Sequence, residues 1–304
     1  MIRAGSGSKW LFPGVAIVAA IALVATLLAA GTRLDNQDLT PTKASVSEQA
    51  RQNLATKAAR LRQTASSLSA QHPEVGLYAS IEKRARAYED ALGGVWEPWP
   101  TGAPSGQTNP AVNTAPPDDP DIVAMLDDLS SSSLRAASSA EESDRPTYVS
   151  IALSSRLAAV DASKTLGGTA TCGQADPQAA GKAAADSKSL DVAEYARQWM
   201  ETDAASLDAT ARQAASQRIE SITALQSSML ESGAKDKRPA VAAPPELDGD
   251  QTPTSKGLSM LTNRLVAVSA SADDEAREAI VSYGCSLYQT SDEVERAGAL
   301  PGIE

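Results

Sequence analysis

The longest uninterrupted stretch of this chain, residues 182–232, contains neither Gly nor Pro. It is rich in Ala, Gln, Glu, Arg and Leu, which favour helix. Its apolar residues recur at helical spacing: Leu190, Ala193, Ala196, Met200, Leu207, Ala211, Ala214, Ile222, Leu225 and Met229. Such a face needs partner helices, so the stretch predicts a helical bundle. Thr, Asp and Ser cluster at 203–208 and compete for backbone hydrogen bonds, which predicts a break there.

The rest of the chain supplies more helices of the same kind. Residues 45–70 carry an apolar seam, His72-Pro73 ends that helix, and a second helix runs to Gly93-Gly94, which predicts an antiparallel hairpin. Helices are predicted from Asp119-Pro120 to about 140 and over 147–166, with a loop at 170–181. Two more end the chain, around 258–268 and 273–298. Because β-branched runs are short, we predict an all-α fold.

Composition limits the partners of this fold. The formal net charge is −11 and the pI is near 4.7, and no basic stripe is present. Nucleic acid is therefore excluded as a partner, because affinity for it comes largely from Lys and Arg contacts to phosphate. Aromatic residues make up only 4% of the chain, which predicts a core of closely packed helices with small side chains.

The N-terminal stretch of residues 10–30 carries no charge and is long enough to cross a bilayer as one helix. Arg3 and Lys9 precede it, which places the short N-terminal side in the cytoplasm and the remaining chain outside. We therefore predict a single-pass protein of the cell membrane with an extracytoplasmic C-terminal domain. The alternative is a signal peptide cleaved after Ala29-Ala30, which would release the protein.

Four regions follow from these patterns. They are a cytoplasmic stub and membrane anchor at 1–31, a linker at 32–44, an N-terminal helical region at 45–169 with a Pro-rich loop at 95–120, and a helical bundle at 186–299.

The residues of common catalytic sites are scarce. His72 is the single histidine, it lies beside a Pro, and it is far in sequence from both cysteines. The Gly-Gly pairs end helices, whereas a phosphate-binding loop would start one. We therefore predict no catalysis and no cofactor. An exported chain meets an oxidising environment, so Cys172 and Cys285 are predicted to form a disulfide.

Four aromatic residues are candidates for a ligand or partner surface. Trp96 and Trp99 open the Pro-rich loop, where they could form an exposed platform or, for Trp96, cover the end of the hairpin. Tyr195 and Trp199 lie one turn apart in the long stretch, next to Met200. These three residues could be ordinary core, or they could line an apolar groove between helices.

Several short stretches together resemble a ferritin-like domain of unknown function from exported actinobacterial proteins. They are Leu92-Gly93-Gly94-Val95-Trp96, Asp191-Val192-Ala193-Glu194-Tyr195-Ala196, Gln217-Arg218-Ile219-Glu220, Ala243-Pro244-Pro245 and the two final helices. The resemblance implies a membrane-attached helical region followed by a four-helix, ferritin-like, up-down bundle.

Ferritin-like bundles that hold metals use inward-facing Glu residues and Glu-x-x-His pairs. In this chain Glu194 is followed three residues later by Arg197, and Tyr195 stands where the resemblance leads us to expect His. Glu194 and Glu201 share a helix face, which predicts a solvated acidic surface, with a degenerate metal site as the alternative.

The sequence thus favours a structural or interacting role, with an envelope protein or cell-wall component as partner. The alternative function is the binding of a small apolar ligand.

Overall fold

A computed structural model describes residues 44–99, 102–103 and 105–303. The described part is entirely helical apart from turns and loops, which confirms the all-α prediction. Its ten helices are α1 (Val46–Gln71), α2 (Gly76–Ala91), α3 (Ile122–Ser139), α4 (Arg145–Leu166), α5 (Pro177–Ala183), α6 (Ser187–Ala204), α7 (Ala209–Glu231), α8 (Pro253–Val268), α9 (Asp274–Ser286) and α10 (Ser291–Arg296).

The predicted membrane span at 10–30 lies outside the described residues. Among the helices that are described, none combines the length and the apolar character needed to cross a bilayer.

Helices α1 and α2 pack against each other as the predicted hairpin. The Ser45 hydroxyl accepts a hydrogen bond from the Glu48 amide and caps α1 at its start. At the end of α2, Gly93 adopts a positive φ of 76°, which lets the Gly94 amide reach the Glu89 carbonyl at 2.8 Å. The Gly-Gly pair thus ends α2, as the sequence predicts, through the positive φ of Gly93.

Helix α4 is the central element of the fold. It packs chiefly on α3 and also contacts α2, α8, α9 and α10. Fifteen of its residues are buried, and they lie on every side of the helix. A continuous hydrophobic core extends from α4 into the helices of both 45–169 and 186–299.

The long Gly- and Pro-free stretch forms parts of three helices. It breaks at 205–208, as predicted, and the Asp208 carboxylate caps the start of α7 by accepting from the Ala211 amide. A second, unpredicted break lies at 184–186, where Asp186 caps α6 in the same way. Helix α5 occupies part of the stretch predicted as a loop, because Asp176 followed by Pro177 forms a strong helix start.

Two glycines let helices approach closely. A Cβ added at Gly181 would lie 2.6 Å from the carbonyl oxygen of Leu225, where α5 packs on α7. A Cβ added at Gly257 would lie 2.9 Å from the Cα of Ala196, where α8 packs on α6. The core is therefore built on small side chains, as the low aromatic content predicts.

The structure brings Cys172 and Cys285 together in a disulfide, with their Cα atoms 5.4 Å apart. The bond joins the loop after α4 to helix α9.

Candidate functional site

The aromatic pair on α6 lies beside the Pro-rich loop that connects α7 and α8. The rings of Tyr195 and Trp199 are tilted toward each other, with their centroids 5.7 Å apart. Trp199 is 9% exposed, and its indole Nε1 donates to the Ala243 carbonyl at 2.9 Å. The structure thus brings two of the four candidate aromatic residues together, under a loop that covers Trp199.

Gln198 fastens the same loop to α6. Its amide oxygen accepts a hydrogen bond from the Ala242 backbone N–H at 2.8 Å, and its Nε2 donates to the Pro239 carbonyl at 3.5 Å. Together with the Trp199 contact, these bonds hold the loop on both sides of Val241. The Val241 side chain is nevertheless 80% exposed. The loop is therefore held in place while it displays an apolar side chain to solvent.

The carboxylate of Glu194 lies at the inner edge of this surface and is saturated with donors. Arg197 donates to both of its oxygens, at 2.6 and 3.2 Å. Gln198 donates to one oxygen at 2.6 Å, and Gln226 of α7 donates to the other at 2.8 Å. Burial acts to raise the pKa of Glu194, but these hydrogen bonds outweigh it and hold the pKa at about 2.

These residues do not fit a ferritin-like metal centre. The lone pairs that a metal would need on Glu194 already accept hydrogen bonds, and Arg197 supplies positive charge where the metal motif has His. Glu201 also pairs with Arg197, so this guanidinium bridges both candidate carboxylates. Within the part of the chain that the structure describes, no three His, Cys, Asp or Glu residues are grouped as a metal site would require.

Met200 faces a different space from its neighbour Trp199. It is buried at the base of a groove of about 510 Å³ between the end of α6, the first turns of α7 and the start of α8. Leu207, Ala211 and Ala214 line this groove and are only half-buried. The stripe of Tyr195, Trp199 and Met200 is therefore divided between a loop-covered face and an open groove.

The other two candidate aromatic residues, Trp96 and Trp99, lie in the connection after α2. Trp96 is half-buried, a few residues beyond the end of α2. Trp99 belongs to a separate compact unit that includes residues 98–109. In that unit the Asn109 side chain accepts from the Trp99 amide and donates to its carbonyl, both at 3.0 Å.

The hydrogen bond between Glu194 and Gln226 joins two different helices and was not predicted from the sequence. The spacing of Glu194, Arg197 and Gln198 signals local pairing, but nothing in the sequence marks Gln226 as the fourth member of the cluster.

Comparison of the chain with protein-family models, with curated proteins and with solved structures gave no match.

Proposed function

We propose that this protein is a single-pass, extracytoplasmic, ferritin-like helical bundle that has no catalytic activity and binds a partner of the cell envelope. The partner is a protein or a cell-wall component. The main support for partner binding is the exposed apolar loop that Gln198 and Trp199 hold against α6.

The disulfide supports the extracytoplasmic location. Bonds of this kind persist in oxidising compartments and are rare in reducing ones. The uncharged stretch at 10–30, preceded by Arg3 and Lys9, supports attachment to the membrane. The packing of α6 on both α7 and α8 is compatible with a ferritin-like bundle, although α9 also packs on α4 and α5.

The loop at 239–247 has the properties of a recognition segment. Every residue in it except Glu246 is apolar, and Pro239, Pro244 and Pro245 restrict its backbone. Val241 is 80% exposed and Leu247 is 43% exposed. Because the loop is already held by hydrogen bonds to α6, little chain entropy is lost when it binds. Extended Pro-rich segments of this kind dock into grooves lined by aromatic residues.

A photoreactive amino acid at position 241 tests this function in the native envelope. We expect one discrete adduct of the full chain on illumination, and we expect its loss when Trp199→Phe removes the hydrogen bond that holds the loop. The matched control places the same probe at Val112, which is also exposed but lies in another loop. Equal adducts from both positions would contradict a specific partner surface.

The topology is tested separately with protease added to intact cells from which the wall has been removed. We expect degradation of the chain beyond residue 44, while protection of that region would show that the proposed orientation is wrong.

The groove beside Met200 supports a second candidate function, the binding of a small apolar ligand. Its volume lies within the range of small-molecule sites, and half-buried apolar side chains line it. Native mass spectrometry of the full chain should then detect a retained small molecule that Ala211→Trp displaces. A mass without adduct in both forms would eliminate this candidate.

A further inference from the structure

A second groove, of about 640 Å³, lies between α1 and α3. One part of it is apolar and is lined by Val46, Ala50 and Leu54 of α1 and by Ala136 of α3. Val46 is 75% exposed, the second-highest exposure among the large hydrophobic residues described. The groove thus offers an open apolar strip that begins at the first residue of α1.

The same groove carries three cations. Lys57 donates to Ser132 at 2.8 Å, and Arg135 donates to the same hydroxyl at 2.9 Å, so the two charges converge on one point. Arg60 lies one turn after Lys57 and also lines the groove. Among these three cations, Lys57 alone has a carboxylate partner in the described part of the chain, Asp128 at 2.5 Å.

Arg60 and Arg135 form no ion pair within the described residues. Arg60 donates from Nη2 to the Asn113 carbonyl at 2.7 Å, while its buried Nε has no acceptor. A buried donor without an acceptor is destabilising, and an anionic oxygen that reaches this nitrogen offsets that cost. A groove with an excess of positive charge is also unusual on a chain whose net charge is −11. The charge balance therefore favours an anionic ligand.

We propose that the groove between α1 and α3 binds one anionic phospholipid. Its phosphate would lie among Lys57, Arg60 and Arg135, and one acyl chain would follow the apolar strip from Leu54 toward Val46. A free phosphate would leave the apolar strip exposed, and a neutral lipid would leave Arg60 and Arg135 without counter-charge.

The proposal rests on the membrane attachment proposed above. The linker at 32–44 spans at most about 45 Å when extended, so a chain anchored at 10–30 keeps the start of α1 within reach of the lipid surface. Basic groups near an anionic surface are attracted to it.

The test uses the full chain in phosphatidylcholine vesicles that contain a phosphatidylglycerol with a photoreactive acyl chain. After illumination, the labelled peptides are identified by mass spectrometry. We expect label on peptides from α1 and α3. The double variant Arg60→Gln/Arg135→Gln should reduce that label about tenfold, and so should Ala50→Phe, which fills the groove and leaves all charges in place.

The matched control is Lys83→Gln/Arg86→Gln, which removes two positive charges from α2 instead; its label should equal that of the unchanged chain. Thermal unfolding of each variant identifies any loss of folding. A loss of label would be misinterpreted only if both Ala50→Phe and the double variant unfolded, and the two variants change different properties of the groove.

Several outcomes overturn the proposal. Label confined to residues 10–30 would eliminate the groove as a lipid site while leaving the anchor intact. Equal label from a photoreactive phosphatidylcholine, whose choline neutralises its own phosphate, would contradict the preference for an anionic lipid. A photoreactive residue at position 50 that captures a polypeptide would assign the groove to a protein partner or a second copy. A different outcome, label on α1 and α3 with none at 10–30, would support the lipid site in the groove and would contradict the membrane anchor alone.

Discussion

Helices α4 and α7 have nearly equal length, 22 and 23 residues, and both are rich in Ala and Ser. Fifteen residues of α4 are buried, whereas α7 buries six, all of them from Arg218 onward. Neighbours surround α4, but α7 packs mainly on α5 and α6. A helix of small side chains is therefore central or peripheral according to its neighbours, which its own sequence does not specify.

Small polar residues are what allow α4 to be buried on all sides. Ser154 is fully buried, and its hydroxyl accepts hydrogen bonds from Arg84 and from Tyr88 of α2. Ser163 satisfies its hydroxyl by donating to the Ala159 carbonyl. In the first half of α7 the small residues instead border the open groove beside Met200.

The largest expected effect on the contrast between α4 and α7 comes from removal of the disulfide by Cys172→Ser/Cys285→Ser. The bond closes a loop with a sequence separation of 113, which contains α7 and excludes α4. For a loop of that size we expect a loss of up to about 5 kcal/mol in the free energy of unfolding. Denaturant titration measures the loss. Hydrogen exchange should show that amides in α7 lose more protection than amides in α4, and equal losses would contradict the contrast.

A pair of truncations compares α4 with the turn that precedes α7. Leu153 of α4 is 1% exposed, so Leu153→Ala should lower the free energy of unfolding by about 2–5 kcal/mol. Leu207 precedes α7 and is only half-buried, so Leu207→Ala should cost less than about 1 kcal/mol. Chemical denaturation measures both. Similar costs would mean that the start of α7 is packed as tightly as α4.

Gly181→Ala tests the packed half of α7. The new Cβ would lie 2.6 Å from the Leu225 carbonyl oxygen and 2.7 Å from the Ser228 Cβ, so we expect a loss of about 1–3 kcal/mol. The control is Gly76→Ala at the start of α2, where an added Cβ meets no atom within 4 Å. That variant should be neutral or stabilised by up to about 1 kcal/mol. The melting temperature should therefore fall in Gly181→Ala and stay the same or rise in Gly76→Ala. Equal shifts in the two variants would refute the close contact at Gly181.

Glu194→Gln tests the polar contact between α6 and the same half of α7. We expect a loss of about 1–2 kcal/mol at neutral pH, because Gln226 and Arg197 lose a charged acceptor. The folded-state pKa of Glu194 is about 2, below its ordinary value of 4.5, so its contribution is present above pH 4.5 and is lost as pH falls toward 2.

The difference in stability between the unchanged chain and Glu194→Gln should therefore shrink between pH 5 and pH 2, which denaturant midpoints at several pH values would measure. The control Glu201→Gln alters a half-exposed partner of Arg197 and should change stability by less than about 1 kcal/mol. A difference for Glu194→Gln that stays constant down to pH 2 would contradict the low pKa.

Local signals predicted most of the helices, although they joined α9 and α10 into one helix at 273–298, and they predicted the candidate surface poorly. Helix ends at His72, Gly93 and Asp208 follow from rules that involve a few neighbouring residues. The helix at 177–183 was missed because its short cap signal was read as part of a loop. On the candidate surface, the pairing of Tyr195 with Trp199 follows from helical spacing, whereas the loop that covers Trp199 comes from residues 44 positions away along the chain.

The all-α class, most helix boundaries and the small-residue core follow from the sequence alone, because helical spacing, capping and side-chain size act within a few residues. The packing of whole helices, in contrast, makes α4 central, brings Arg84 of α2 to the carbonyls of Val294 and Gly298, and lets Gln226 complete the bonding of Glu194. These contacts join residues far apart in the chain. They depend on how whole helices pack, and many different packings satisfy the same local pattern.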